Sequence, residues 1–339
     1  MSSSKNSQRN ARKGWTILVG VIVVTLLLSG CAASQPKVYR VGILIGFAPF
    51  AEIADGFKAK MADLGYVEGK NITYDVQTVD VDPAKEQQVL QKFVADKVDL
   101  IFAFPTGPAV SAKAAAQGTG IPVVFAMAGL EETDLVESVR QPGGNITGVR
   151  FPGPENTMKR FEFLRQLAPQ AKRVYLAYNA NYPANANALE VLRPAAASEG
   201  VMLVEAPITS LEELKADLQT RAASDDLGMD AIFIMPDDLT QSPDGVPVIV
   251  EFAAKHHMPI GGAAAFWADA GALYSYVANF LEMGELAAPL ADKIFKGSSA
   301  GTIPVVSPEQ YLRLNYTAAQ GLGLTVPEGL LSQAQEIIR

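Results

Sequence analysis

The sequence predicts an α/β fold built as two doubly wound, parallel-sheet lobes. Three observations carry this. From Val38 onward, β-rich apolar runs alternate with helical stretches of about 10–16 residues, the pattern of right-handed βαβ units. About eleven such strands exceed what one strongly twisted open sheet of this size holds. The alternation restarts near Gly148 with no Ser/Gly-rich linker, so the lobes are expected to be joined by several short segments rather than by one tether.

The elements follow in order. Val38–Gly46 is a continuous apolar run, fit for a strand buried on both faces. Phe50, Ile53, Phe57, Met61 and Leu64 fall at helical spacing, and Gly65 closes that helix as a C-cap. Asn71–Val79 alternates as a strand. Asp82-Pro83 opens a helix to Lys97, with the acid as N-cap and proline at the first position. Leu100–Phe104 reads as a strand, Pro108–Gln117 as an Ala-rich helix, Ile121–Met127 as a strand, Leu130–Arg140 as a helix and Ile146–Phe151 as a strand after the Pro142-Gly143-Gly144-Asn145 turn. The second half repeats the scheme. Helices are expected at 155–167, 183–198, 210–223, 246–257 and 280–295, and a last one at 327–338. Strands are expected at 173–179, 201–208, 231–236, 258–262, 272–278, 303–306 and 311–315.

The N-terminus reads as an export signal. Lys5, Arg9, Arg12 and Lys13 precede an uncharged run from Trp15 to Leu28, too short for a comfortable membrane span. Leu28-Ser29-Gly30-Cys31 resembles a bacterial lipobox, whose cysteine is lipidated and becomes the new N-terminus; the alternative is an uncleaved anchor helix with an incidental cysteine. On the lipobox reading, residues 1–30 are a signal peptide and 31–37 a tether. The protein would then be exported and lipid-anchored to the outer face of the cytoplasmic membrane, or to the outer membrane of a double-membraned cell. The four cations of that segment are part of 28 basic residues; without them 24 face 36 acidic ones, a net −12. Such a balance argues against nucleic acid as a partner. A single cysteine leaves no intrachain disulfide and no cysteine zinc site. His256 and His257, the two histidines, are helical neighbours pointing apart, which suits a surface helix end better than catalysis. There is no G-x-S-x-G elbow, H-E-x-x-H or P-loop, and nothing implies a metal or cofactor. An enzyme is not expected.

From about residue 38 to the end, the chain resembles the ABC-transporter substrate-binding lipoproteins of type I periplasmic-binding-protein fold, in the branch that includes tryptophan and phenylalanine binders. The resemblance rests on Gly56-Phe57, Gly65-Tyr66-Val67-Glu68-Gly69-Lys70-Asn71-Ile72, Val98-Asp99-Leu100-Ile101, Ile121-Pro122-Val123-Val124-Phe125, Pro142-Gly143-Gly144-Asn145-Ile146-Thr147-Gly148, Gly271-Ala272-Leu273, Gly284 and Ile303-Pro304-Val305. It implies lobes of 38–147 plus 275–304 and of 148–274 plus 305–339, with three crossings as the hinge. It also implies a monomer that captures a small molecule and delivers it to an ABC permease with a separate ATPase. A ligand sensor of the same fold, coupled to a membrane signalling protein, is the alternative.

Ligands of open parallel sheets bind beyond the C-terminal strand ends. The strand ends here offer Phe47, Thr106, Met127, Tyr178, Asn181, Asp237 and Tyr276 as candidate ligand-binding residues. Thr106, at a helix start, could hold a carboxylate or serve as a plain N-cap. Asp237 stands where the resemblance places an acid facing the ligand, to pair with an ammonium group, or it is a solvated loop acid. Asn181 could bond in the cleft. Phe47, Tyr178 and Tyr276 could stack on a flat ligand or belong to the core. Met127-Ala128-Gly129-Leu130 and Ala263-Ala264-Ala265 stand where amino-acid binders of the family carry polar residues. The expected ligand is therefore an aromatic or apolar amino acid or a related carboxylate.

Overall fold

The computed structural model describes residues 37–131 and 133–339. Residues 1–36, on which the expected signal peptide, the lipidated Cys31 and most of the expected tether fall, lie outside the described residues. The first sheet holds β1 (Tyr39–Ile45), β2 (Ile72–Thr78), β3 (Leu100–Phe104), β4 (Val123–Ala128) and β5 (Ile146–Arg150), in the order β2-β1-β3-β4-β5 and parallel throughout. Alternate residues serve two cores, as the strand period requires. Val41, Ile43, Leu100, Phe102, Phe104 and Val124 face one side; Leu44, Ile101, Ala103, Val123 and Phe125 face the other. On the second side lie α2 (Pro83–Ala95) and α3 (Thr106–Ala116). The first side is covered by α1 (Ala51–Asp63), which is joined by a helix from far along the chain.

The chain then enters the second lobe with α4 (Gly153–Leu167), β6 (Arg173–Asn179), α5 (Pro183–Ser198), β7 (Met202–Ile208), α6 (Leu211–Ala222), β8 (Ala231–Phe233), α7 (Gly245–Lys255), β9 (Ile260–Gly261), α8 (Phe266–Asp269) and β10 (Tyr274–Val277). It returns as α9 (Phe280–Phe295), which packs on α1. It ends in the second lobe with β11 (Tyr311–Asn315), α10 (Tyr316–Gly321), α11 (Glu328–Gln333) and β12 (Glu336–Ile338). The second sheet runs β12-β11-β10-β9-β8-β6-β7, with β11 antiparallel to β10 and the other pairs parallel. The fold is that of the type I periplasmic binding proteins, two parallel-sheet α/β lobes.

Several elements differ from expectation. Leu130–Arg140 is not a helix. Thr133 Oγ1 donates to Leu130 O at 3.1 Å, Ser138 Oγ to Gln141 O at 3.1 Å, and Val139 O accepts the Val305 N–H at 2.8 Å. Side chains and a distant segment claim the backbone groups that a helix needs. The last helix stops at Gln333. Gln335 N–H goes to Leu312 O, and Glu336–Ile338 pair with Arg313–Asn315, because β11 offers an open edge. The strand expected at 303–306 is one bridge, Val149 with Val306, preceded by a 3₁₀ turn at Ala300–Thr302; Pro304 has no N–H to extend the ladder.

Pairing also locates the passages between sheets. β5 stays in the first sheet to Arg150 and β10 in the second to Val277, each a few residues past the division expected at 147/148 and 274/275. β5 and β10 leave at their C-terminal ends, and β11, antiparallel to β10, begins on that same side. The short links 151–152, 278–279 and 307–310 thus tie together the C-terminal edges of both sheets, which bound the cleft.

Candidate ligand cleft

On the first lobe, the edge begins at Phe47, 36% exposed after β1. Its ring meets Phe50 edge-on at 5.5 Å, and Phe50 meets Phe280, the first residue of α9, at 5.4 Å. Phe50, Met127, Phe151 and Phe280 form the partly buried rim of the core beneath. Met127 has φ +51° where the β4–β5 register shifts, a bulge that re-aims the side chain. The apolar rim is thus contributed by the segment after β1, by β4 and by two of the crossings.

Thr106 is the first residue of α3, after Pro105, and no side chain caps that helix. Its hydroxyl accepts the Gly129 N–H at 3.0 Å, binding the ends of β3 and β4 together. The hydroxyl proton is left to donate. A Cβ built on Gly107 would meet nothing within 4 Å, so the helix start is open. Free N–H groups, the helix dipole and a hydroxyl donor make this a place for a carboxylate.

The second lobe presents the opposite chemistry. Asp237, which follows β8, is 3% exposed; Oδ1 accepts from Thr240 N at 2.8 Å and from Thr240 Oγ1 at 3.0 Å, and Oδ2 from Asn179 N at 3.4 Å. It is a buried loop acid rather than a solvated one. Burial holds its carboxyl above the usual range, against the lowering effect of the Thr240 and Asn179 bonds. Asp238 accepts from Asn179 Nδ2 at 2.7 Å. Asn181 is exposed and its N–H donates to Asn179 Oδ1 at 3.0 Å. These residues gather where β6 and β8 end.

Tyr178 and Tyr276 are engaged elsewhere. Tyr178 OH donates to Glu205 at 3.0 Å, and Arg193 grips the same carboxylate at 2.7 and 2.8 Å. Tyr276 packs edge-on against Phe163 of α4 at 5.2 Å. Both rings lie against the core under α4 and α5.

Other residues at these edges carried no signal in the sequence. Arg160 of α4 is 3% exposed, donates to Ile234 O at 3.1 Å just past β8, and stacks over Phe233. Burial pushes its guanidinium down to about 10. At the links, Arg150 reaches Glu155 at 3.0 Å and Ser307 at 2.8 Å, Asn156 donates to Gln310 at 2.9 Å, and Tyr311 OH donates to Glu282 at 2.5 Å. The last bond joins β11 of the second lobe to α9 of the first. The hollows lined by Arg40, Thr73 and Asp75, and by His257, Met258 and Gly271, lie at the N-terminal strand ends, away from this cleft.

Two sheets meeting edge to edge around a cleft, with donors on one side and acceptors on the other, define a two-lobed small-molecule binding protein. Residues 41–338 match the family described as ABC transporter substrate binding protein, and the chain belongs to that family. Its members are binding proteins rather than enzymes. The chain is 27% identical to a tyrosine-binding protein of Clostridioides difficile strain R20291 over 312 residues, 87% of each chain. It is similar to the crystal structure of a conserved domain protein from Vibrio cholerae (TM-score 0.74, 25% identity, covering 89% of this chain and 100% of that one). An L-Trp complex of an ABC domain from Streptococcus pneumoniae superposes equally well, at TM-score 0.74 and 22% identity over 89% and 100% of the two chains.

Proposed function

We propose that the protein captures an aromatic or apolar amino acid, or a related carboxylate, between its lobes and delivers it to an ABC permease. The observation that carries this is the division of chemistry across the cleft. An aromatic rim at Phe47, with the open helix start at Thr106, faces acceptor-rich strand ends at Asp237 and Asn181. Met127 completes the apolar side; Tyr178 and Tyr276 support the second wall from behind. The relatives named for tyrosine and bound to L-Trp support the ligand class. Export, with Cys31 lipidated and the chain held as a monomer near the permease, completes the reading. No helix among the described residues is long and apolar enough to cross a membrane, so on this reading any attachment falls to the N-terminal segment. Two lobes divided at the links 151–152, 278–279 and 307–310 would close like a hinge on the ligand.

The test is a thermal-shift screen of residues 38–339 against the twenty amino acids, aromatic acids, sugars and nucleosides. Aromatic or apolar amino acids or their acids should raise the melting temperature by mass action. A response confined to sugars or nucleosides would reject the ligand class, and no response at all would reject the receptor.

A further inference from the structure

The chain enters the first lobe at Lys37, beside the N-terminal end of β1. At about 3.3–3.6 Å per residue, the steps from Cys31 to Lys37 reach no more than about 20 Å. An anchor at Cys31 would therefore hold this end of the lobe close to the lipid. Several basic residues gather there. Lys37 Nζ lies over the Tyr39 ring at 4.6 Å, and Tyr39 stacks on Phe295 at 4.0 Å, which brings in the end of α9 with Lys293 and Lys296. Arg40 Nη2 donates to Lys97 O at 2.9 Å, and Tyr39 N–H donates to Asn71 O at 2.9 Å, next to Lys70.

The acids at this end are matched. Asp99 pairs with Lys37 at 2.8 Å, Asp292 with Lys296 at 2.8 Å, Asp96 with Lys92 at 3.0 Å, Asp63 with Lys60 at 3.5 Å and Glu68 with Lys58 at 3.8 Å. Arg40, Lys70, Lys97 and Lys293 are exposed and belong to none of the ion pairs among the described residues. Lys293, in the last turn of α9, also complements that helix's dipole; Lys70, in the turn before β2, has no such duty. Residues 1–36 contain no Asp or Glu to neutralise them. Val38, Leu64 and Val67, all exposed, flank the same cations. Surplus positive charge bordered by exposed apolar side chains is what an anionic bilayer surface attracts.

We propose that this face, centred on the start of β1, docks on the anionic headgroups of the bilayer that carries the Cys31 anchor. Arg40, Lys70, Lys97 and Lys293 meet headgroup phosphates, and Val38, Leu64 and Val67 enter the apolar fringe. The inference rests on the anchored reading above and adds an orientation to it. The first lobe sits on the lipid by its N-terminal strand ends, with the ligand edge at the opposite end of β1.

The experiment uses the full chain, produced with its own N-terminal segment in a bacterium and purified from membranes. It is reconstituted into vesicles of phosphatidylcholine alone, or of an equal mixture with phosphatidylglycerol, and followed by amide hydrogen exchange. Exchange at 64–71 and 293–299 should slow at least about fivefold in the anionic vesicles, the worth of one cation near such a surface. Salt at about 1 M, where the screening length falls to about 3 Å, should remove the slowing. Joint Lys70→Glu, Lys97→Glu and Lys293→Glu substitution should remove it too; the salt series decides even if that variant unfolds. Equal exchange in both vesicles, slowing that survives salt or the charge reversals, or slowing confined to the second lobe would each overturn the inference and leave anchoring standing. Recovery of the chain from the soluble fraction alone would reject anchoring and the inference with it.

Discussion

Thr106 and Asp237 show how one side chain can serve both the scaffold and a ligand. The Thr106 hydroxyl accepts Gly129 N–H and keeps its own proton to give. Thr106→Ala should weaken binding of the responding ligand about tenfold, while the lost loop bond costs only about 0.5–1.5 kcal/mol of stability. Calorimetry beside urea unfolding checks both, and unchanged affinity would remove Thr106 from the site. For Asp237 the consequence is a pH trend. A carboxyl raised by burial contributes stability below its unfolded value of about 3.9 and loses it as pH rises through the folded value. Asp237→Asn keeps an acceptor for Thr240 and does not titrate. Its melting temperature relative to the parent should therefore climb as pH rises from acid toward neutral; a relative fall would contradict the assignment. Chain position suggested both residues. Their bonding partners were not legible, since Gly129 is reached across a helix and a strand and Asn179 across four elements.

Packing of elements depends on two glycines that meet across the return of the chain. A Cβ on Gly284 of α9 would lie 2.0 Å from Ile53 O, and one on Gly56 of α1 would lie 1.9 Å from Leu281 O. Both contacts are with helix backbone, which cannot swing aside, so α1 and α9 touch where side chains are absent. Gly284→Ala improves helix propensity by about 1 kcal/mol, but overpacking costs about 1–3 kcal/mol. Net destabilisation of the first lobe is expected, read as a lower urea midpoint, with the strand pairing of the second sheet preserved in hydrogen exchange. A stabilised protein would show that the helices can part freely. At this scale the sequence was most legible. The helix over 280–295, the strand over 173–179 and the N-cap Asp82 stand as read, because periodicity and capping are local. The segment at 130–140 and the C-terminal strand were not legible, because their partners, Val305 and Leu312, lie far along the chain.

For the whole molecule, the quantity of interest is the angle between lobes. Tyr311 OH on Glu282 is a direct tie between them, strong enough to push the phenol up to about 12, with the Glu282 bond as the leading cause and burial second. A hydrogen bond of about 0.5–1.5 kcal/mol is comparable to a few-fold change in the ratio of two hinge states. Tyr311→Phe should therefore shift the distribution of interlobe distances in the ligand-free protein, measured between spin labels on α2 and α6. An unchanged distribution would show that the tie follows the hinge rather than setting it.

The sequence by itself determined the alternation of strands and helices and the doubling into two lobes. Each of these is written in side-chain period, caps and strand count, which neighbouring residues set among themselves. Only the tertiary structure decided which candidate residues meet. It turned Tyr178 and Tyr276 onto the core under α4 and α5 and buried Asp237 beside Asn179. The physical reason is that a buried polar atom is defined by its partners. Those partners arrive from strands and crossings tens of residues apart, and no local pattern records them.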